Sequence, residues 1–397
     1  MIYYVLIALT IIILLSYTFD LTSKYTRIPG VLLLIATGIL INQAAIKFHI
    51  AIPDLSALLP LMGTLGLILI VLEGSLDLNL SREKKTLIGQ SVSTAIILLA
   101  IFVAVFSGIL VFHSHYPIRI ALLNSICFGI ISSAVAIPAA VALQRDDREF
   151  VTYESSVSDI AGILIFDFIM ANYISWGTGI IEFILAFILT TVIAVSMSFI
   201  LAFFLHRINH HVKYVIITAT LVLVYSLAKL IHMPSLLVVL IFGLILNNLH
   251  LFRTSFSERF IDFKEFGSEL KSFKNITSEM TFLIRSFFFI MFGFYTNLQE
   301  LMSLHNLLIA LSITMAIILI RLIWLRTVLR KQALPLLFFA PRGLITILLF
   351  LSIPADSLLP FMNKGLVTQV IFLTIIILPL GNLFFRKNQP DDKLNSM

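Results

Sequence analysis

The chain has 397 residues, of which 59% are hydrophobic and only 12% charged, with a formal net charge of +6. Soluble domains carry about 25% charged residues, so this composition excludes a water-soluble globule, and the single Cys127 excludes a disulfide scaffold or a cysteine zinc site. The basic residues lie in short loops between long apolar runs, which indicates a polytopic membrane protein in contact with lipid and not a nucleic-acid binder.

Apolar runs long enough to cross a bilayer as helices, about 20 residues each, recur along the whole chain. They predict thirteen spans, at 2–19, 28–46, 57–78, 87–112, 119–142, 151–172, 180–205, 214–231, 234–251, 277–298, 304–329, 334–352 and 364–385. The first run lacks a basic start and a cleavage site, so we expect it to remain as a helix. The predicted fold is an all-α polytopic membrane protein forming one transmembrane domain, 1–397.

The Lys and Arg residues outside the spans are divided unequally between the two sides of the membrane. Twenty of the 27 follow odd-numbered spans or lie in the C-terminal tail, whereas only Lys47, Arg119, Lys229 and Lys364 lie on the opposite side. Because basic loops stay in the cytoplasm, we predict a plasma-membrane protein with its N-terminus outside and its C-terminus cytoplasmic.

The segment 252–276 separates the ninth and tenth spans and has phenylalanines at spacings of three or four among Lys and Glu. This pattern is typical of an amphipathic helix on the membrane surface. We expect it to form a cytoplasmic linker between two halves of the protein.

Four charged residues fall inside predicted spans at similar depth. At 1.5 Å per residue, Asp159 lies about 12 Å into the sixth span and Glu154 about one turn deep, while Arg321 and Arg342 reach the same slab from the eleventh and twelfth spans. A charge near the bilayer centre costs at least about 2.5–3.5 kcal/mol, so each is a candidate for function.

Two spans contain helix-breaking residues at this depth. The fifth reads GIISSAVAIPAAV (129–141), which includes Ser132 and Ser133, and the twelfth reads FFAPRGLITILL (338–349). Proline removes a backbone donor, and freed backbone groups within the membrane are tolerated only beside a cavity or protein partners. Interrupted helices at corresponding positions of two halves, spans 1–6 and 8–13, indicate an inverted-repeat secondary transporter with crossed helices.

At these residues the sequence resembles the monovalent cation:proton antiporter superfamily, nearest the sodium/proton exchanger branch. VLEGSLDLNL (71–80) looks like its acidic-glycine signature, YESSVSDI (153–160) like its sixth-span motif and PRGLITI (341–347) like its broken twelfth helix. The resemblance implies that Asp159 alternately holds a cation and a proton, and that Glu154 is a structural acid paired with Arg321. It also implies a homodimer, in which spans 1–3 and 8–10 form the dimerisation scaffold and spans 4–6 and 11–13 the ion-carrying core.

The chain departs from the family pattern at two places. The Thr-Asp-Pro of the fifth span is replaced by a serine pair without the acid, and Ser158 stands where the family has asparagine. The candidate ion and proton ligands are therefore Asp159 with the hydroxyls of Ser158, Ser155, Ser132 and Ser133.

Chemistry then suggests the mechanism. Hard monovalent cations prefer oxygen ligands, and burial disfavours the charged form of a carboxylate, so a proton and a cation would compete for Asp159. One acid predicts electroneutral, one-for-one exchange by alternating access, serving pH homeostasis, with Na⁺ as the first expectation and K⁺ or Li⁺ as alternatives. The sequence contains no phosphate-binding loop or nucleophile motif, so we expect neither an enzyme nor a cofactor, and an ion gradient as the energy source.

Several readings stay open. Arg342 either compensates the ends of the crossed helices or contacts Asp159. Glu73 is either a charge in a cytoplasmic funnel or an interfacial cap, and Asp167 lines an exit route or has a structural partner. The sequence does not name a partner for Arg285.

Three other functions are weighed against antiport. A sodium-coupled symporter of an organic anion would need a second sodium site and a larger polar cavity. A channel would need rings of carbonyls or acids about a symmetry axis, and a non-transporting sensor would tolerate loss of Asp159.

Overall fold

The computed structural model describes residues 2–26, 29–49, 54–80, 84–170, 178–207, 212–231, 233–252, 263–329 and 336–385. All regular secondary structure in these ranges is helical. Eight of the helices are long and apolar enough to cross a membrane, and three shorter apolar helices accompany them. The outward faces of these helices are apolar. In the helix Thr178–Arg207, for example, Leu185, Ile188 and Leu189 are exposed, which suits a lipid environment.

The structure contains fifteen α-helices in its described residues. They are α1 (Ile2–Thr26), α2 (Gly30–Lys47), α3 (Leu58–Asp77), α4 (Lys85–Phe112), α5 (Ile118–Gly129), α6 (Ser133–Ala139), α7 (Arg145–Met170), α8 (Thr178–Arg207), α9 (Lys213–Leu230), α10 (Ser235–Asn247), α11 (Phe263–Phe294), α12 (Leu298–Leu301), α13 (Leu304–Trp324), α14 (Leu344–Ser352) and α15 (Lys364–Phe385).

Each predicted span corresponds to a helix or a pair of helices. The fifth span is the pair α5 and α6, and the twelfth consists of a short helical turn at 336–337, a non-helical stretch and α14. Two helices begin more than two residues before their predicted spans. Helix α7 starts at Arg145, with Asp146 and Asp147 in its first turn, where acidic side chains favour a helix start.

Helix α11 is the second that begins early. It runs without interruption from the predicted amphipathic segment into the tenth span. From Phe263 onward this segment therefore extends a transmembrane helix, while residues 253–262 lie outside the described part of the chain. Its role as a linker stays a prediction.

The helices pack as two groups. Helices α2 and α3 both pack on α11, and α10 packs on α3 and α8, whereas α4 packs on α5 and α7, and α13 on α15. Small residues allow the closest approach: a Cβ at Gly38 or Gly293 would overlap the backbone of the facing helix at Ile290 or Ile35. Helix α14 contacts α3 and α5, so the two groups meet where the site lies.

Candidate functional site

Two interrupted helices meet in the interior of the protein. Residues 130–132 are non-helical between α5 and α6, and residues 339–343 are non-helical before α14. The backbone N–H of Ser132 donates to the carbonyl oxygen of Pro341 across 2.9 Å. Each interruption thus supplies a hydrogen-bonding partner to the other, which allows non-helical backbone at this depth.

Gly343 permits this close crossing. A Cβ placed on it would lie 2.5 Å from the Oγ of Ser132 and 2.9 Å from its Cβ, with Val135 at 3.2 Å. Real Cβ atoms do not approach other atoms so closely, so any larger residue forces the two interruptions apart.

We therefore expect Gly343→Ala to destabilise the protein by about 1–3 kcal/mol through overpacking, and to slow its activity. Thermal unfolding in detergent measures the change. Gly108→Ala on α4 is the matched control, because no atom lies within 4 Å of the added methyl group. A Gly343→Ala protein as stable as the control would contradict the role of this close contact.

Asp159 lies beside the crossing and is 3% exposed. Its Oδ2 accepts a hydrogen bond from the backbone N–H of Ser133 at 3.1 Å, and its Oδ1 has no hydrogen-bond partner in the described part of the chain. The Ser133 hydroxyl lies beside the same carboxylate. A buried carboxylate oxygen without a partner is an available ligand for a cation or a proton.

The other predicted serine ligands divide into two sets. Ser158 accepts the backbone N–H of Ile131 at 3.0 Å, which ties the first interruption to α7, and Ser132 lies at the crossing itself. The hydroxyl of Ser155, by contrast, donates to the carbonyl of Thr152 in its own helix at 3.4 Å. The structure therefore brings Ser132, Ser133 and Ser158 to the interruption near Asp159.

Glu154 and Arg321 form a buried ion pair, and each residue is 1% exposed. The guanidinium uses both terminal nitrogens: Nη2 lies 2.8 Å from Oε2 of Glu154, and Nη1 contacts Oε1. The remaining Nε donates to the carbonyl of Leu336 at 2.8 Å, just before the second interruption. This bidentate pair joins α7 to α13 and leaves both charges compensated.

Arg342 lies within the second interruption. Its backbone N–H donates to Thr374 at 3.1 Å and its Nη1 to the carbonyl of Ala340 at 3.2 Å. No ion pair joins Arg342 to Asp159, both of which the structure describes. Its side chain lines a cavity of about 20 Å³ together with Gly129, the last residue of α5, and with Ser158. Arg342 thus shares a cavity with the C-terminal, partly negative end of that half-helix, and it also interacts electrostatically with Asp159.

Three further charged residues, Glu73, Arg285 and Asp167, have partners on neighbouring helices. The Ser278 hydroxyl donates to Glu73 at 2.6 Å, and Arg285 interacts electrostatically with the same carboxylate. Asp167 pairs with Lys229 of α9 at 2.8 Å. These partners lie far apart in the sequence and no local spacing relates them, so sequence analysis could not name them.

The comparisons with known proteins point in one direction. The family model described as "Sodium/hydrogen exchanger, transmembrane" matches residues 9–384. The chain is similar in structure to the sodium proton antiporter MjNhaP1 from Methanocaldococcus jannaschii. A structure of that protein at pH 8 gives a TM-score of 0.63 at 18% identity, covering 96% of each chain. An electron-microscopy structure of it gives 0.68 at 19% identity, covering 98% of this chain and 99% of that one. No curated protein sequence matches.

Proposed function

The chain belongs to the sodium/hydrogen exchanger family and is a membrane cation:proton antiporter, and from this premise we propose that Asp159 carries the cation and the proton in turn. The observation that supports this role most directly is the unpartnered Oδ1 of this buried carboxylate. A cation or a proton at that oxygen would compensate a charge that otherwise lies in a medium where an isolated ion is costly. The family match favours antiport over the symporter, channel and sensor alternatives.

The surroundings of Asp159 suit a small monovalent cation. The carboxylate, the Ser133 and Ser132 hydroxyls and the backbone of the interruption offer oxygen atoms, which hard cations prefer. We infer that Na⁺ is the transported ion, with K⁺ or Li⁺ as competitors, and that no cofactor takes part. Arg342 would compensate the negative end of α5, and Glu73 would attract cations at the cytoplasmic side.

A proteoliposome assay with an enclosed pH dye tests this function. Pulses of Na⁺, Li⁺, K⁺ and an organic anion are applied under an outward proton gradient. We expect proton movement with Na⁺ and none with the anion alone. Uptake of the anion without proton movement under any cation would instead favour sodium-coupled symport.

Exchange is expected to be independent of membrane voltage. Glu154 is neutralised by Arg321, so a single carboxylate exchanges one proton for one monovalent ion and no net charge moves. A net charge would couple to the potential at about 2.3 kcal/mol per 100 mV. The potential is clamped with gradients of the permeant anion thiocyanate, because K⁺ is itself a candidate substrate. Rates should agree within error between 0 and −100 mV; a rate that rises several-fold with voltage would refute single-acid exchange.

We further propose the cellular arrangement. The positive-inside rule places the basic end of α7, with Arg145 and Arg148, in the cytoplasm and the N-terminus outside, in the plasma membrane. Such a protein would serve pH homeostasis. A homodimer through the group formed by α1–α3 and α9–α11 would leave the group that carries Asp159 free to move, which alternating access requires.

A further inference from the structure

Ser156 is a buried hydroxyl that the structure leaves without a partner. It lies on α7 three residues before Asp159, hence on the same side of the helix and one turn nearer the basic end. It is 4% exposed, and its Oγ has no hydrogen-bond partner in the described part of the chain. The hydroxyl of a serine or threonine in a helix commonly donates to the carbonyl oxygen four residues earlier, as Thr152 does to Arg148 at 2.9 Å, but Ser156 does not.

The Ser156 hydroxyl faces Gly74 of α3, and the missing side chain of this glycine leaves a gap of about one methyl group between α7 and α3. Opposite it lies Gly74, and a Cβ built on this glycine would be 3.7 Å from the Ser156 Oγ, with no other atom of the surrounding helices within 4 Å. The absent side chain thus leaves room beside an unused donor and acceptor. Burying a hydroxyl without a hydrogen bond costs about 1–3 kcal/mol, and a cation or water molecule bound in the gap would offset this cost.

The neighbouring acid does not fill this gap. Glu73 precedes Gly74, but its carboxylate is turned toward α11, where it accepts the Ser278 hydroxyl at 2.6 Å. The gap is therefore flanked by a carboxylate at position 73 and by Asp159 one turn along α7. Both are groups that attract cations.

We propose that the Ser156 hydroxyl is a further ligand of the transported cation, which it contacts through its oxygen in the α3–α7 gap before the ion reaches Asp159. This inference rests on the proposed function, since it extends the route to the same carboxylate. The hydroxyl replaces one water of the hydrated ion and so lowers the cost of dehydration on the way to the buried site.

The test compares three variants in proteoliposomes over a range of Na⁺ concentrations. Ser156→Ala is expected to raise the half-saturating Na⁺ concentration about three- to tenfold while the maximal rate changes less than twofold. Ser156→Thr, which keeps the hydroxyl, should restore the wild-type value. The matched control is Ser286→Ala, which removes another buried, unpartnered hydroxyl on α11, 2% exposed, and should leave the half-saturating concentration unchanged.

Thermal unfolding separates ligation from packing, because loss of a hydroxyl that is only structural shifts stability without changing the dependence on Na⁺. A Ser156→Ala protein with the wild-type half-saturating concentration overturns the inference. Asp159→Asn is measured beside it: if that variant is inactive while Ser156→Ala is unaltered, the proposed function stands and only the role of Ser156 falls. Full exchange by Asp159→Asn would overturn both.

Discussion

Asp159→Asn is expected to reduce cation-coupled proton movement to the background of empty liposomes. Asparagine keeps the shape of the side chain but can neither bind and release a proton near neutral pH nor offer a negative charge to a cation. The enclosed pH dye measures the effect after a Na⁺ pulse. Stability should not fall, because the substitution removes a buried charge whose Oδ1 has no partner in the described part of the chain.

Asp167→Asn is the matched control for this result. Asp167 lies on the same helix, eight residues further on, and pairs with Lys229, whose side chain is 55% exposed and therefore remains hydrated when the carboxylate is lost. Exchange should persist in this variant. Exchange at the wild-type rate by Asp159→Asn would exclude Asp159 as the carrier of the two ions.

Binding provides a second measurement for the same substitution. A ligand that binds only the folded protein raises its stability by about 2.7 kcal/mol at one hundred times its dissociation constant. Na⁺ should therefore raise the unfolding temperature of the wild-type protein and leave that of Asp159→Asn unchanged. An equal rise in both proteins would place the stabilising cation elsewhere.

Glu154→Gln is expected to cause a large loss of stability, about 3–5 kcal/mol in the free energy of unfolding. The change is nearly isosteric but leaves the guanidinium of Arg321, 1% exposed, without a counter-charge. The loss of stability is measured by unfolding the protein in detergent and monitoring the decrease of its monodisperse peak in size-exclusion chromatography. The surface pair of Lys84 and Glu149, at 2.7 Å and with both side chains partly exposed, is the control; Glu149→Gln should cost at most about 1 kcal/mol.

A double-mutant cycle then isolates the pair. Glu154→Gln combined with Arg321→Gln removes both charges together, so its cost should be smaller than the sum of the two single changes. Additive costs would mean that the two residues do not stabilise each other. Arg321→Gln alone also frees the carbonyl of Leu336, which should make it at least as harmful as Glu154→Gln.

The positions and order of the apolar helices were predictable because hydropathy over about 20 residues is a strong local signal. The two interruptions were predictable as well, since Pro341 and Gly343, and Gly129 before the serine pair, are local helix breakers. The all-helical fold and antiport are confirmed, the latter through the family match.

The remaining features depend on packing between helices distant in sequence. Nothing near Asp167 names Lys229, and nothing near Arg285 names Glu73, because each pair forms only when separate helices meet. The role proposed for Ser156 could not be predicted for a related reason, because the space beside its hydroxyl is created by Gly74 on another helix. The early start of α11 was missed because its first half is charged and falls below the hydropathy of a span.

The hydrogen bond between Ser132 and Pro341 has a consequence for how the chain is made. Its two ends are separated by about 200 residues, and ribosomes add about 5–20 residues each second, so the amide of Ser132 emerges some 10–40 s before its acceptor exists. During that interval the backbone of residues 130–132 lacks the partner that it has in the complete fold. Since non-helical backbone at membrane depth needs hydrogen-bonding partners, we expect this stretch to stay in contact with water or with the insertion machinery until the second half of the chain is made.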